Sequence, residues 1–136
     1  MIENEIIIDN GCETFVIKTN AGEEYAKLIF NPSDPEIYTR YTKISKAIDE
    51  KEFNTDTIEG VNEVNSFLVK QMSDLLNRDT SEELFGKQSP LSILADGDFF
   101  IDKLLDIIPK IVEERTKQRF DKKIEKIKKA TAKYHQ

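Results

Sequence analysis

The sequence has few residues of the kinds on which catalytic and metal sites are usually built. Its 136 residues include one cysteine, one histidine and no tryptophan. A single cysteine excludes an internal disulfide framework and a cysteine-rich zinc site, and a single histidine excludes a multi-histidine metal site. Glycine and proline are also scarce, at five and four residues, so the composition is not that of a low-complexity linker.

Long apolar runs are absent as well. No stretch approaches the ~18 apolar residues that a membrane-spanning helix needs. The N-terminus, Met1–Glu5, is acidic and lacks the basic start and apolar stretch of a secretory signal peptide. With 38% hydrophobic and 34% charged residues, the chain has the composition of a globular protein. We therefore expect a single cytoplasmic domain over residues 1–136.

Charge is distributed unevenly along the chain. Residues 1–98 carry 9 basic and 20 acidic side chains, a net charge of −11, whereas residues 99–136 carry 11 basic and 6 acidic side chains. Within residues 115–136 the only acidic side chains are Asp121 and Glu125. Such a basic segment is either a solvated helix or a helix that docks on an acidic surface. The acidic surface could belong to a foreign partner or to a second copy, which would make the protein a homo-oligomer.

The first part of the chain, residues 1–30, is predicted to form a short antiparallel three-stranded β-meander. Asn10-Gly11 is a strong hairpin signal, because both central residues of a type I′ turn need a positive φ. A second turn cluster ends at Gly22. The predicted strands lie on either side of these turns, at residues 5–8, 14–18 and 25–30.

Residues 34–114 are predicted to form a helical body, so the fold class is α+β. Apolar residues recur there at spacings of three and four, which is typical of a buried helix face. Pro109 interrupts the last of these stripes, and we expect a kink or break there because proline lacks the N–H of the helical hydrogen bond. We expect four or more helices, including a short one at residues 80–86. The stripes consist of Ile37, Tyr41, Ile44 and Ile48, of Val61, Val64, Leu68, Met72 and Leu75, and of Phe100, Leu104, Ile108 and Ile111.

Residues 115–136 are predicted to form a long, basic, amphipathic C-terminal helix. Its apolar seam is narrow and only about two heptads long, which is too short to predict a free coiled coil. A narrow seam on a basic helix favours packing against another surface. The residues predicted to bind a partner are the apolar Phe120, Ile124, Ile127 and Tyr134 and the basic Arg115, Arg119, Lys123 and Lys126.

No constellation of residues predicts an enzyme. Cys12 follows the Asn-Gly turn and is interpreted as a strand residue, since the single histidine, His135, lies too close to the chain end to activate it. We therefore predict no catalytic residue, no cofactor and no metal. Nucleic acid is a disfavoured partner, because the acidic body would repel a polyanion. A membrane surface is disfavoured too, because the seam has few bulky residues.

Three stretches carry a family resemblance. They are the β-rich start that leads into helices, the helix ending in Asp74-Leu75-Leu76 before Glu83-Leu84-Phe85-Gly86 and Ser89-Pro90-Leu91-Ser92, and the apolar segment 99–108 that leads into the lysine-rich end. Over about residues 60–136, the chain resembles small tail-module proteins of phages and prophages of low-GC Gram-positive bacteria. These proteins are regarded as tail assembly chaperones, and residues 1–60 resemble them only in general layout.

The resemblance implies a non-enzymatic binding protein in the cytoplasm of a bacterial host cell. Tail assembly chaperones bind the tape-measure protein and recruit tail-tube subunits before the tube polymerises. In that family a programmed frameshift near the end often produces a longer form. An alternative is a small phage-encoded inhibitor that binds a host enzyme through its acidic body. The two hypotheses place the contact on different parts of the molecule, the basic helix or the acidic surface.

Overall fold

The computed structural model describes residues 4–134, with side chains through residue 132. This part of the chain forms one antiparallel pair of strands and three helices, an α+β fold that ends in a long helix as predicted. In chain order the elements are β1 (Glu13–Lys18), β2 (Glu24–Phe30), α1 (Ile37–Glu50), α2 (Ile58–Leu76) and α3 (Phe100–Tyr134).

The two strands follow the expected alternation of side chains. Glu13 lies opposite Phe30 and Val16 opposite Lys27, and the register shifts by one residue near Lys18. The side chains of Ala26, Leu28 and Phe30 on β2 are buried against the helices. Alternate residues on each strand therefore face the core and solvent, as in an antiparallel sheet covered on one side.

The predicted three-stranded meander is wrong, because residues 5–8 belong to no strand. Gly11 has a φ of 79°, but Asn10 is not in the left-handed region, so the type I′ turn does not form. Instead the Asn10 side chain accepts the N–H of Cys12, and the Asp9 carboxylate accepts the N–H of Gly11. These local side-chain turns compete with the hairpin for the backbone donors.

The core is one cluster formed by β2, the three helices and the loop after α2. The predicted stripes fill it: Ile37 and Ile44 of α1, for example, are buried. Helix α2 begins where expected, because the Thr57 hydroxyl accepts the N–H of Gly60 at 3.0 Å. It ends at Asn77, whose φ of 57° reverses the chain. The predicted beginning and end of this helix are confirmed.

The predicted number of helices is too high. Residues 80–86 form hydrogen-bonded turns, in which the Thr80 carbonyl accepts the N–H groups of both Leu84 and Phe85. These turns bury both apolar side chains against the core. A helix of one or two turns gains few internal hydrogen bonds, so packing decides the backbone here rather than helix propensity.

Pro109 does not break α3, which continues from Phe100 to Tyr134. A proline at this position leaves the carbonyl of Leu105 without its helical donor. The hydroxyl of Tyr41 on α1 donates to that carbonyl at 2.8 Å. The same two helices enclose a small apolar niche around Pro109. A tertiary hydrogen bond therefore replaces the helical one.

This replacement predicts coupled stabilities for Tyr41 and Pro109. Replacing Tyr41 by Phe should lower the free energy of unfolding by about 1 kcal/mol, since the Leu105 carbonyl loses the donor that replaces the helical one. In a Pro109→Ala background the new N–H at position 109 supplies the helical bond. There, Tyr41→Phe should lower the free energy of unfolding by only a few tenths as much. Urea denaturation of the four proteins measures this double-mutant cycle. Equal losses in both backgrounds would contradict the assignment.

Candidate functional site

Arg119 joins α3 to three other segments at the point where the helix leaves the body. Its Nη1 donates to Asn31 Oδ1 at 2.9 Å and to the Ser33 hydroxyl. Its Nη2 donates to the Gly11 carbonyl and to Glu13 Oε2, each at 2.9 Å. One guanidinium therefore holds the segment before β1, the first residue of β1 and the loop after β2. Its planar fork of donors suits such convergent contacts.

Arg115, one helical turn earlier, reinforces this attachment. Its Nε lies 3.2 and 3.1 Å from the two carboxylate oxygens of Glu13. Its guanidinium carbon lies 5.6 Å from the centre of the Phe15 ring, a cation–π distance. The Thr116 hydroxyl also donates to the Pro32 carbonyl at 3.4 Å. We call the contacts of these side chains and of Arg119 the α3 junction.

Beyond the α3 junction, no described side chain of the helix through residue 132 makes comparable contacts with the body. Residues 120–134, here called the α3 extension, span roughly 22 Å at ~1.5 Å per residue. Phe120 is 62% exposed and Ile127 48% exposed, while Ile124 is half-buried. Among the described side chains of the extension, the one ion pair is internal, between Lys129 and Glu125 at 3.6 Å. The extension thus presents an apolar strip on a basic helix.

The structure divides the eight residues predicted to bind a partner. Two of them, Arg115 and Arg119, contact the body of their own chain, and Arg119 is only 32% exposed. The side chain of Tyr134 lies outside the described residues. Five lie together on the α3 extension: Phe120, Lys123, Ile124, Lys126 and Ile127.

The arginine contacts were missed by sequence reasoning because Glu13 lies about a hundred residues before them. A lone glutamate beside a turn has no sequence feature that marks it as the partner of two distant arginines. The signal that was available is the spacing of four residues between Arg115 and Arg119, which places both on one helix face.

The open cleft beside the α3 junction does not select a charged ligand. Its volume is about 820 Å³, and its lining includes both acidic side chains, such as Asp9 and Asp121, and basic ones, such as Lys122. Cys12, which was interpreted as a strand residue, immediately precedes β1 and is exposed. Across residues 4–134 no three side chains of the metal-binding types come together, and His135 lies outside that range.

Comparison with protein-family models, with curated proteins and with solved structures found no match to this chain. Within the described helices, no segment combines the length and the apolar character needed to cross a membrane.

The α3 junction predicts a stability difference between neighbouring basic residues. Replacing Arg119 by Ala should lower the free energy of unfolding by about 1–2 kcal/mol, because several charge-assisted hydrogen bonds are lost at a partly exposed site. The matched control, Lys123→Ala, changes an exposed side chain of the extension and should stay within about 0.5 kcal/mol of the parent. Urea denaturation compares them. Equal stabilities of the two variants would show that the junction contributes nothing.

Proposed function

We propose that the protein is a non-enzymatic phage tail assembly chaperone that acts in the cytoplasm of a bacterial host. In this proposal its α3 extension binds a helical segment of the tape-measure protein, the tail-tube protein or both. The observation that carries the proposal is the exposure of Phe120 and Ile127 on a helix that has left its own core. The identity of the partner is inferred from the family resemblance, and the binding surface is inferred from the exposed extension.

The extension is suited to binding because its apolar residues share one face. Phe120, Ile124 and Ile127 follow spacings of four and three, so their side chains form a strip along the helix. Burial of such exposed apolar side chains against a partner lowers the free energy of the complex, because it removes them from water. The extension continues from the packed part of α3, but its exposed apolar side chains leave little tertiary packing to stabilise its helical turns. A partner would therefore stabilise the extension as well as bury its strip.

The charges around the strip indicate the kind of helix that fits it. Lys123 and Lys126 flank the apolar side chains and are exposed. A partner helix with an apolar face bordered by Asp and Glu would complement both features. Long tape-measure proteins provide helical segments, which is why the resemblance and the surface support the same class of contact.

The proposal predicts that Ile127→Asp reduces partner binding without reducing stability. A charge in the centre of the strip should lower affinity for a purified tape-measure or tail-tube protein at least about tenfold, because the aspartate must lose its water on binding. Since Ile127 is half exposed and lies outside the core, the free energy of unfolding should change by less than about 0.5 kcal/mol. Calorimetric titration and urea denaturation measure the two quantities.

Ile93→Asp is the matched control, because Ile93 is 71% exposed on the body and lies far from the extension in sequence. It should leave affinity for the tail protein unchanged. If Ile127→Asp binds as tightly as the parent chain, the extension is not the binding surface. If neither tail protein binds the parent chain at all, the proposed function is wrong.

The charge distribution favours one other candidate, an inhibitor that binds a basic site of a host enzyme through residues 1–98. Their net charge is −11, and an acidic surface can imitate nucleic acid in such a site. This contact would weaken steeply with added salt. It would also be retained by Ile127→Asp, so the variant separates the two functions.

A further inference from the structure

The outer edge of β1 has backbone N–H and C=O groups that form no hydrogen bond within the described part of the chain. The N–H of Lys27 donates to the Glu83 carbonyl at 2.8 Å, so it points away from β1. Val16 lies opposite Lys27, which makes this a non-hydrogen-bonded pair of the ladder. The N–H and C=O of Val16 therefore point outward from the sheet, and by alternation so do those of Thr14. Within residues 4–134 neither residue has a hydrogen bond on that side.

Residues 5–8 are suited to form a strand but belong to none in the structure. Three consecutive isoleucines follow Glu5, and Ile7 is 99% exposed. None of the backbone groups of these residues is hydrogen-bonded within the described structure. Isoleucine is β-branched and favours strands, so we call residues 5–8 the Ile segment and regard it as a strand without a partner.

The contacts of the connecting residues oppose pairing of the Ile segment with its own β1. The Asn10 carbonyl accepts from the Asn31 side chain at 3.0 Å, and the Gly11 carbonyl accepts from Arg119. Both contacts hold the connection against the loop after β2 and against α3. A tight turn back along β1 would require these bonds to break. An unpaired strand with a constrained connection is the situation in which segments exchange between copies.

We propose that the Ile segment of one copy pairs with the outer edge of β1 of a second copy, and reciprocally, to form a closed dimer. Each chain carries one donor strand and one acceptor edge, so a two-fold axis satisfies both. Antiparallel pairing places Ile7 opposite Val16 and Glu5 beside Lys18 of the other copy. Parallel pairing would instead bring Glu5 near Glu13. Charge therefore favours the antiparallel arrangement.

This dimer differs from association through the α3 extension in its physical basis. Added-strand contacts rest on backbone hydrogen bonds and apolar side chains, whereas a basic helix on an acidic body rests on charge. The dimer should therefore persist when salt is raised, and it should not require Phe120 or Ile127. The proposal stands independently of the tail-assembly function, because its test uses this chain alone.

The decisive variant is Val16→Pro, measured by light scattering and sedimentation over a range of concentrations. Because the Val16 N–H points outward, proline removes no bond of the β1–β2 ladder but blocks the outer edge. We expect the parent chain to dimerise with rising concentration, and we expect Val16→Pro to raise the dissociation constant at least about tenfold. Val16→Thr keeps both the N–H and the branched shape, and it should dimerise like the parent.

Ile7→Pro tests the donor side without altering a strand of the fold. It should weaken the dimer as much as Val16→Pro does, and it keeps the test valid if circular dichroism shows that Val16→Pro is unfolded. The single cysteine offers a second readout, because Cys12 of each copy would lie near the two-fold axis. A short bismaleimide should link two parent chains but not two Ile7→Pro chains.

Three results would overturn the proposal. The first is a parent chain that stays monomeric at every concentration. The second is a dimer that Ile7→Pro leaves intact, which would indicate direct pairing of two β1 edges or contact elsewhere. The third is a dimer that dissociates when salt is added, which would assign association to the charged surfaces. None of these outcomes bears on whether the α3 extension binds a tail protein.

Discussion

The contact between Arg119 and the segments around Glu13 is the constraint on which the layout of the molecule depends. The core ends near Val112, so the last part of α3 is not positioned by apolar packing. The arginine attaches that helix to β1, to the segment before β1 and to the loop after β2. This attachment fixes where the helix leaves the body. It also holds the residues before β1 away from the sheet edge, so it leaves two surfaces uncovered.

Inside the helical body, too, a contact between distant residues determines the course of α3. Pro109 removes a donor from α3, and Tyr41 of α1 supplies one to the carbonyl that is left over. The helix therefore continues through Pro109 as far as the α3 junction. A break at this point would have uncoupled the extension from the body. The position of the extension thus depends on two neutral hydrogen bonds, donated by Tyr41 and Thr116, and on several charged ones, in addition to the core.

The two uncovered surfaces suit different kinds of contact. The α3 extension offers an apolar strip with basic borders, which complements an acidic amphipathic helix. The β1 edge offers backbone donors and acceptors, which complement a strand. The two surfaces meet at the α3 junction, where Arg119 binds Glu13, the first residue of β1.

The sequence by itself determined the periodic features. Alternation in residues 25–30 and the stripes of α1 and α2 predicted β2 and the buried faces of these helices correctly, because burial of apolar side chains follows the local repeat. The Thr57 cap was also local and was predicted correctly. Tertiary structure decided the rest. Asn10-Gly11 forms local side-chain turns instead of a hairpin, and the distant side chains of Asn31 and Arg119 bind its carbonyls. The role of Arg119 likewise depends on residues 86 to 108 positions away, whose proximity only the folded chain creates.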